Sequence, residues 1–299
     1  MKMPYLSKVK ERFLFWYKAS RGYSLPMSII SWLIIFVYSL KFHSGNILYG
    51  IYALIGIIFA HLGTNLFDDY VDFKDNVPKQ KYKSTYIDNQ ETKLKTIFKM
   101  VCFYFLIAFI IGVFFTIKLG INIPIIATFV GVLCLIYPKI NHIGLGEVVV
   151  GTIFGPILFY CVNYVMTNQL FSIKILSLSL CVFIFTILVL DVHAFMDYDS
   201  DIKAKKRTLC TILNSKQNAY FAICLLILLG YLLTLLSISN KIISNWGFLT
   251  FLTIPQAYKL LRSLKKYNPT NENEFIINFI KARNLTIAYE ILLIFGIIL

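Results

Sequence analysis

Charged residues are scarce in this 299-residue chain: Asp, Glu, Lys and Arg together make up 15%, against about 25% in soluble domains. Acidic residues are scarcer still, at 15 against 29 Lys and Arg, so any place where several aspartates gather calls for a physical reason. The six cysteines, Cys102, Cys134, Cys161, Cys181, Cys210 and Cys224, show no C-x-x-C spacing and fall mostly in apolar runs. A disulfide framework and a zinc site are thereby excluded, and the thiols read as small packing groups. No long polar stretch stands apart from the apolar runs, which argues for a single domain over 1–299. The first apolar run follows a basic segment as a signal peptide would, but it is too long and lacks an A-x-A-like cleavage site, so it reads as a retained helix.

What is present in excess is hydrocarbon. Hydrophobic residues make up 58% of the chain and the mean hydropathy is +0.71. A helix crossing a membrane needs about 20 mainly apolar residues. Nine runs approach that length, near 25–42, 48–67, 97–117, 121–137, 148–166, 171–195, 218–237, 242–261 and 285–299. The expected fold is therefore all-α: a polytopic membrane protein of nine transmembrane helices embedded in a lipid bilayer.

A net charge of +14 would suit a nucleic-acid partner, but the distribution of the cations points to no nucleic acid. Lys and Arg alternate by loop. They are dense before the first run (Lys2, Lys8, Lys10, Arg12, Lys18, Arg21), after the second (Lys74, Lys79, Lys81, Lys83, Lys93, Lys95), after the sixth (Lys203, Lys205, Lys206, Arg207, Lys216) and after the eighth (Lys259, Arg262, Lys265, Lys266, Lys281, Arg283). The loops between hold single lysines such as Lys118, Lys174 and Lys241. The positive-inside rule then puts the N-terminus in the cytoplasm and the C-terminus outside, a parity nine spans satisfy.

Two aspartate clusters sit at the cytoplasmic ends of the second and sixth runs. The first reads NLFDDYVDFKDN, from Asn65 to Asn76. At about 100° per residue, Asn65, Asp69, Asp72 and Asn76 share a narrow stripe of one helix face, and Asp68 precedes Asp72 by one turn. Carboxylates gathered at a membrane border are costly unless a cation neutralises them. Hard oxygen donors suit Mg²⁺, which is usually shared with substrate phosphates. The second cluster reads DVHAFMDYDSDIKAKKRTL, from Asp191 to Leu209. There His193, Asp197 and Asp201 fall on one face, Asp199 points elsewhere, and Lys205, Lys206 and Arg207 follow at once. A carboxylate pair for metal beside cations for phosphate oxygens makes half of a diphosphate site, and two such faces on the same side of the membrane make a whole one.

These motifs resemble those of the UbiA superfamily of intramembrane prenyltransferases, N-D-x-x-D-x-x-x-D and D-x-x-x-D. The first appears as DDYVDFKDN, with Asp68 where the family usually has Asn and Asn76 where it usually has the last Asp; Asp69 and Asp72 match. The second is Asp197-Tyr-Asp-Ser-Asp201, followed by KKRTL, similar to the family's basic residue before Thr-Leu. RGYSLPMS (21–28) and YPKINHIGLGEVVVGTIFGPILFYCVNYVMT (137–167) look like the subgroup that prenylates 1,4-dihydroxy-2-naphthoate in menaquinone synthesis, with its R-P-x-T-L-P opening and its L-G-L-G-E and F-G-P pattern.

The resemblance implies a central cavity among the nine helices and a cytoplasm-facing active site in the cell membrane. It also implies two Mg²⁺ ions held by Asp69, Asp72, Asp197 and Asp201, with Asp68 at the edge of the set. The substrates would be a polyprenyl diphosphate and an aromatic acceptor. Asn65, Arg21, Lys139, Lys206 and Arg207 are then candidates to bind the diphosphate, with Tyr137 and His193 near the cation or the acceptor. Glu147 and Asn163, polar groups in or beside the fifth run, and His61, one turn before Asn65, need partners of their own. Other acceptors, namely 4-hydroxybenzoate, haem or a glycerol-phosphate lipid, fit the same motifs. DDYVD also satisfies the pattern of soluble prenyl diphosphate synthases, a class the apolar spans argue against. A cation transporter is a more distant alternative, disfavoured because its carboxylates would sit near the midplane of the bilayer.

Overall fold

The computed structural model describes residues 4–74, 94–141, 143–169 and 172–299. Among these the chain is helical, and the one β-bridge joins Ile143 to Arg207. The helices are α1 (Pro4–Ala19), α2 (Leu25–His43), α3 (Ile47–Lys74), α4 (Leu94–Leu119), α5 (Asn122–Asn141), α6 (Gly146–Thr152), α7 (Leu158–Thr167), α8 (Ile173–Met196), α9 (Tyr198–Lys203), α10 (Leu209–Ile212), α11 (Lys216–Ser239), α12 (Ile254–Lys265) and α13 (Glu272–Ile298).

Six helical segments of the described residues are long and apolar enough to cross a membrane: Gly22–His43, Ile47–Lys74, Leu94–Leu119, Gly146–Thr167, Ile173–Met196 and Lys216–Ser239; a shorter apolar helix spans Asn122–Tyr137. The two remaining apolar runs differ from expectation for identifiable reasons. The run at 242–261 is divided, with a 3₁₀ segment over Asn245–Thr253 and α12 beyond it. Pro255 at the head of α12 has no N–H to bond backward, so it starts a helix more readily than it continues one. The run at 285–299 forms part of α13, which is long enough but carries Lys281 and Arg283 just before the run and Glu290 within it.

The chain divides into two units, the first of Met1–Ile29 with Tyr52–Pro138, the second of Ile30–Ile51 with Lys139–Leu299. In the first, Leu62 and Leu66 of α3 lie one turn apart and pack with Ile97, Val101 and Tyr104 of α4, which repeat at helical spacing. Ala19 closes this core from α1, and Ser20 donates to the Tyr104 hydroxyl at 3.2 Å. The result fixes the C-terminal half of α3, where the first aspartates stand.

In the second unit α8 packs against α6, α11 and α13, and its side chains are largely buried. Phe185 stacks on Tyr289 with ring centroids 3.7 Å apart, and the Tyr289 hydroxyl bonds Thr234 of α11. Between α6 and α7 the helix widens to a π turn over Ile153–Ile157 around Pro156, whose missing N–H disrupts the regular ladder. Gly155 in that turn meets α8 backbone to backbone: a Cβ there would lie 2.7 Å from the Ser179 carbonyl oxygen. That contact holds α8, and so the second aspartates, against the α6–α7 segment.

Candidate active site

The first aspartate cluster lies at the C-terminal end of α3. Asp68 and Asp69 are buried, at 3% and 5% exposure, and two adjacent carboxylates cannot stay there uncompensated. The compensation comes from Arg21, whose Nη2 donates to Asp68 Oδ2 at 3.2 Å and to Asp69 Oδ1. Burial disfavours the guanidinium charge, but Asp69 and Asp68 more than offset this, so its pKa lies above the ordinary arginine value. Arg21 holds a left-handed backbone, φ 54°, between the end of α1 and the short 3₁₀ turn Gly22–Ser24. Ser24 donates to the Arg21 carbonyl at 2.7 Å, and Asn65 donates to the Ser20 carbonyl at 3.2 Å and the Ser24 hydroxyl at 3.3 Å. His61 is tied to Ser24 at 2.9 Å and to Ser28. Asn65 and His61 thus fasten the turn that carries Arg21 onto α3. Asp72 is half-buried one turn beyond Asp68. Asn76 and the stretch 77–90 lie outside the described residues.

The second aspartate cluster is built where α8 gives way to α9. The expected single helix face survives a small break: Asp197 has φ −87° and ψ 2°, yet the Asp201 amide bonds its carbonyl at 2.8 Å, so the i, i+4 relation holds. Asp197 and Asp201 are buried at 4% and 1%. His193 Nδ1 lies 3.5 Å from Asp197 Oδ2. Burial, and then the neighbouring Asp201, push the Asp197 carboxyl up to about 7, with Lys206 acting in the opposite sense. Asp199 turns outward to Lys216 Nζ at 3.1 Å. Lys206 is half-buried and Arg207 is exposed. Their backbone is fastened by the Lys206 amide to the Asp201 carbonyl at 2.9 Å, and by a capping box in which Thr208 and Thr211 bond each other.

Tyr137 is half-buried and Lys139 exposed at the end of α5. Asn163 accepts from Ser39 at 3.0 Å inside the second unit, a packing contact. Glu147 is buried at 6% and keeps Oε2 without a hydrogen-bond partner among the described residues. The sequence marked Glu147 as needing a partner of its own.

Mg²⁺ fits this chemistry. The buried donors are carboxylate oxygens, the hard ligands that Mg²⁺ prefers. Magnesium is characteristically held by one or two carboxylates plus substrate phosphates and water, whereas a closed protein cage suits other ions.

The described residues thus combine helices long and apolar enough to cross a membrane with buried aspartates beside cations at helix ends. The sequence model of the UbiA prenyltransferase family matches residues 27–282, and the chain belongs to that family. Solved structures share the fold. A digeranylgeranylglyceryl phosphate synthase superposes with a TM-score of 0.67 at 17% identity, covering 96% of this chain and 98% of its own. A UbiA homologue from Aeropyrum pernix K1 gives 0.69 at 12%, covering 92% and 96%. A UbiA homologue from Archaeoglobus fulgidus, bound to GPP and Mg²⁺, gives 0.62 at 12%, covering 94% and 99%. No curated protein matches the sequence significantly.

Proposed function

We propose that the protein transfers a polyprenyl group from its diphosphate to an aromatic acceptor, 1,4-dihydroxy-2-naphthoate, in menaquinone biosynthesis. The observation that carries the transfer reaction is the pair of buried aspartate motifs, each beside its own cation, in a chain of the UbiA family. The Archaeoglobus relative bound to GPP and Mg²⁺ supports the donor class. The acceptor rests on RGYSLPMS and on the GLGE and FGP stretches of 144–156. The α5 helix, the Asn245–Lys265 segment and α13 complete nine crossings in this reading. The Lys and Arg alternation puts the N-terminus and the site on the cytoplasmic side of the cell membrane.

Asp69, Asp72, Asp197 and Asp201 would hold Mg²⁺, two ions in all, with Asp68 adjoining them. Bound there, the metal neutralises the diphosphate so that it can leave. Lys206 and Arg207, with Arg21 and Lys139, bind phosphate oxygens directly and keep the leaving group's charge compensated as the allylic C–O bond opens. His193 and Tyr137 lie toward the acceptor. The apolar helix faces accommodate the prenyl tail and exclude the water that would otherwise capture the allylic cation. An electron-rich ring carbon of the acceptor forms the new C–C bond. With dihydroxynaphthoate that carbon then loses its carboxylate as CO₂ and the ring regains aromaticity.

The test is to supply membranes containing the protein with Mg²⁺, a radiolabelled prenyl diphosphate and, separately, dihydroxynaphthoate, 4-hydroxybenzoate, haem and geranylgeranylglyceryl phosphate. Prenylated naphthoquinol with stoichiometric CO₂ supports the full reading. Product from another acceptor alone overturns the acceptor, and no product from any acceptor overturns the reaction.

A further inference from the structure

Resting on that reading, we infer that His61 is a positioning residue for Arg21. Its ring nitrogen Nε2 donates to Ser24 and so sets the turn from which the guanidinium reaches Asp68, Asp69 and the diphosphate.

Arg21 stands where the backbone needs holding. Its φ of 54° is left-handed, a conformation that residues with a side chain adopt rarely and keep only where their surroundings impose it. Among the described residues the guanidinium is engaged through Nη2 alone, which serves Asp68 Oδ2 at 3.2 Å and Asp69 Oδ1. The rest of the planar fork can then take phosphate oxygens in parallel bonds, a grip whose geometry depends on where the side chain starts.

The bonds that set this starting point converge on Ser24, and counting their protons fixes the role of His61. The Ser24 hydroxyl has one proton, and it goes to the Arg21 carbonyl at 2.7 Å, since a carbonyl can only accept. The Asn65 amide nitrogen can only donate; it spends its two protons on the Ser20 carbonyl at 3.2 Å and on Ser24 Oγ at 3.3 Å. His61 Nε2 lies 2.9 Å from the same Ser24 oxygen. With the hydroxyl proton already committed, Nε2 must carry the hydrogen of that bond. Nδ1 of the neutral ring is then an acceptor, and Ser28, whose hydroxyl is its partner, supplies the proton. Ser28 is 1% exposed, so water does not compete for that bond. The order Ser28 to His61 to Ser24 to the Arg21 carbonyl is thus a directed chain in which each hydroxyl and ring nitrogen has a single role. Such a chain holds the 21–24 turn against α3 in one register, two turns before Asp68. His61 acts on the diphosphate only through Arg21.

The test uses the full chain in detergent micelles, with binding of inorganic pyrophosphate and Mg²⁺ by calorimetry, thermal midpoints and steady-state kinetics. His61→Phe keeps a ring and removes both nitrogens. Losing a neutral hydrogen bond of this kind is worth about 3- to 10-fold. His61→Phe is expected to weaken pyrophosphate binding by that factor and to raise KM for the prenyl diphosphate in step, with KM for the acceptor unchanged. His61→Gln, which keeps a nitrogen donor for Ser24, should recover most of the loss. In an Arg21→Ala background His61→Phe should cost nothing further, because its effect runs through the missing guanidinium. Ser24→Ala breaks the same chain by a smaller change, and serves should His61→Phe not fold; it should show the same loss and the same dependence on Arg21. In protein labelled with ¹⁵N in its histidine rings, the signal lost in His61→Gln should be that of a ring protonated at Nε2. Folded His61→Phe or Ser24→Ala that binds pyrophosphate like wild type, losses that add to that of Arg21→Ala, or a ring protonated at Nδ1 alone would overturn the inference. Failure of wild type to bind Mg²⁺–pyrophosphate, or of Arg21→Ala to weaken that binding, would instead overturn the reading on which it rests.

Discussion

Replacing Arg21 with alanine probes the first aspartate cluster at its electrostatic centre. The Arg21 guanidinium faces Asp68 and Asp69, whose side chains are each 4% exposed. Breaking a buried ion pair from one side costs roughly 3–5 kcal/mol, because the remaining charge stays buried. The Arg21 side chain is itself 26% exposed, so water can enter where it was, and the expected cost falls to roughly 2–4 kcal/mol by the same principle. Alanine keeps the left-handed backbone at φ 54°, so the change reports the side chain and leaves the strain of the turn in place. At about 2–4 °C per kcal/mol for large domains, the midpoint without added metal should drop by roughly 4–12 °C, followed by circular dichroism in detergent. A divalent cation that ligates Asp69 replaces the lost charge. Added Mg²⁺ should therefore stabilise Arg21→Ala more than it stabilises wild type, and Arg21→Lys should fall between the two. An unchanged midpoint, or an equal Mg²⁺ response in variant and wild type, would refute the assignment of these carboxylates to a cation site.

Two further outcomes follow from single residues. The Asp197 carboxyl, pushed up to about 7 by burial and by Asp201, must lose its proton to ligate metal. Mg²⁺ affinity by calorimetry should rise up to about tenfold per pH unit below 7 and level off above it, and Asp201→Asn should move that break to lower pH; a flat profile between pH 5.5 and 8 contradicts the geometry. Without metal the same raised carboxyl favours the folded state at low pH and loses that contribution as pH rises through about 7. Gly155→Ala would place a methyl 2.7 Å from the Ser179 carbonyl, a backbone atom with no side-chain freedom to yield. It should destabilise by about 1–3 kcal/mol, and a thermal midpoint equal to wild type would show that α8 can shift there freely.

The apolar runs announced the membrane helices because hydrocarbon burial depends on composition over some 20 residues, which is legible without coordinates. What composition could not supply was continuity. The run at 242–261 has the right mean character, but Pro255 and the 3₁₀ path before it divide the segment, and α13 begins at Glu272, well before its apolar run. At the site, the spacing of Asp197 and Asp201 predicted a shared face, and the backbone keeps it through the break at Asp197. The i, i+4 pattern of Asn65 and Asp69 likewise placed them on α3. The partners were illegible, because they are not periodic. Arg21 reaches Asp69 across 48 positions of sequence, and Ser39 meets Asn163 across 124. Long-range contacts of this kind leave no spacing to read. The Asp68 substitution in the motif is understandable once Arg21 is seen against it, since a guanidinium can serve two carboxylates at once.

The measurement closest to the central claim is Mg²⁺-dependent release of pyrophosphate from a prenyl diphosphate, by wild type, Asp69→Asn and Asp197→Asn in the presence of dihydroxynaphthoate. Asparagine preserves shape and hydrogen bonding while removing the charge that holds metal. The account predicts turnover by wild type with Mg²⁺, none in chelator, and a loss of about 10²-fold or more in each variant with folding intact. Turnover that survives in both variants, or that is indifferent to Mg²⁺, would contradict it.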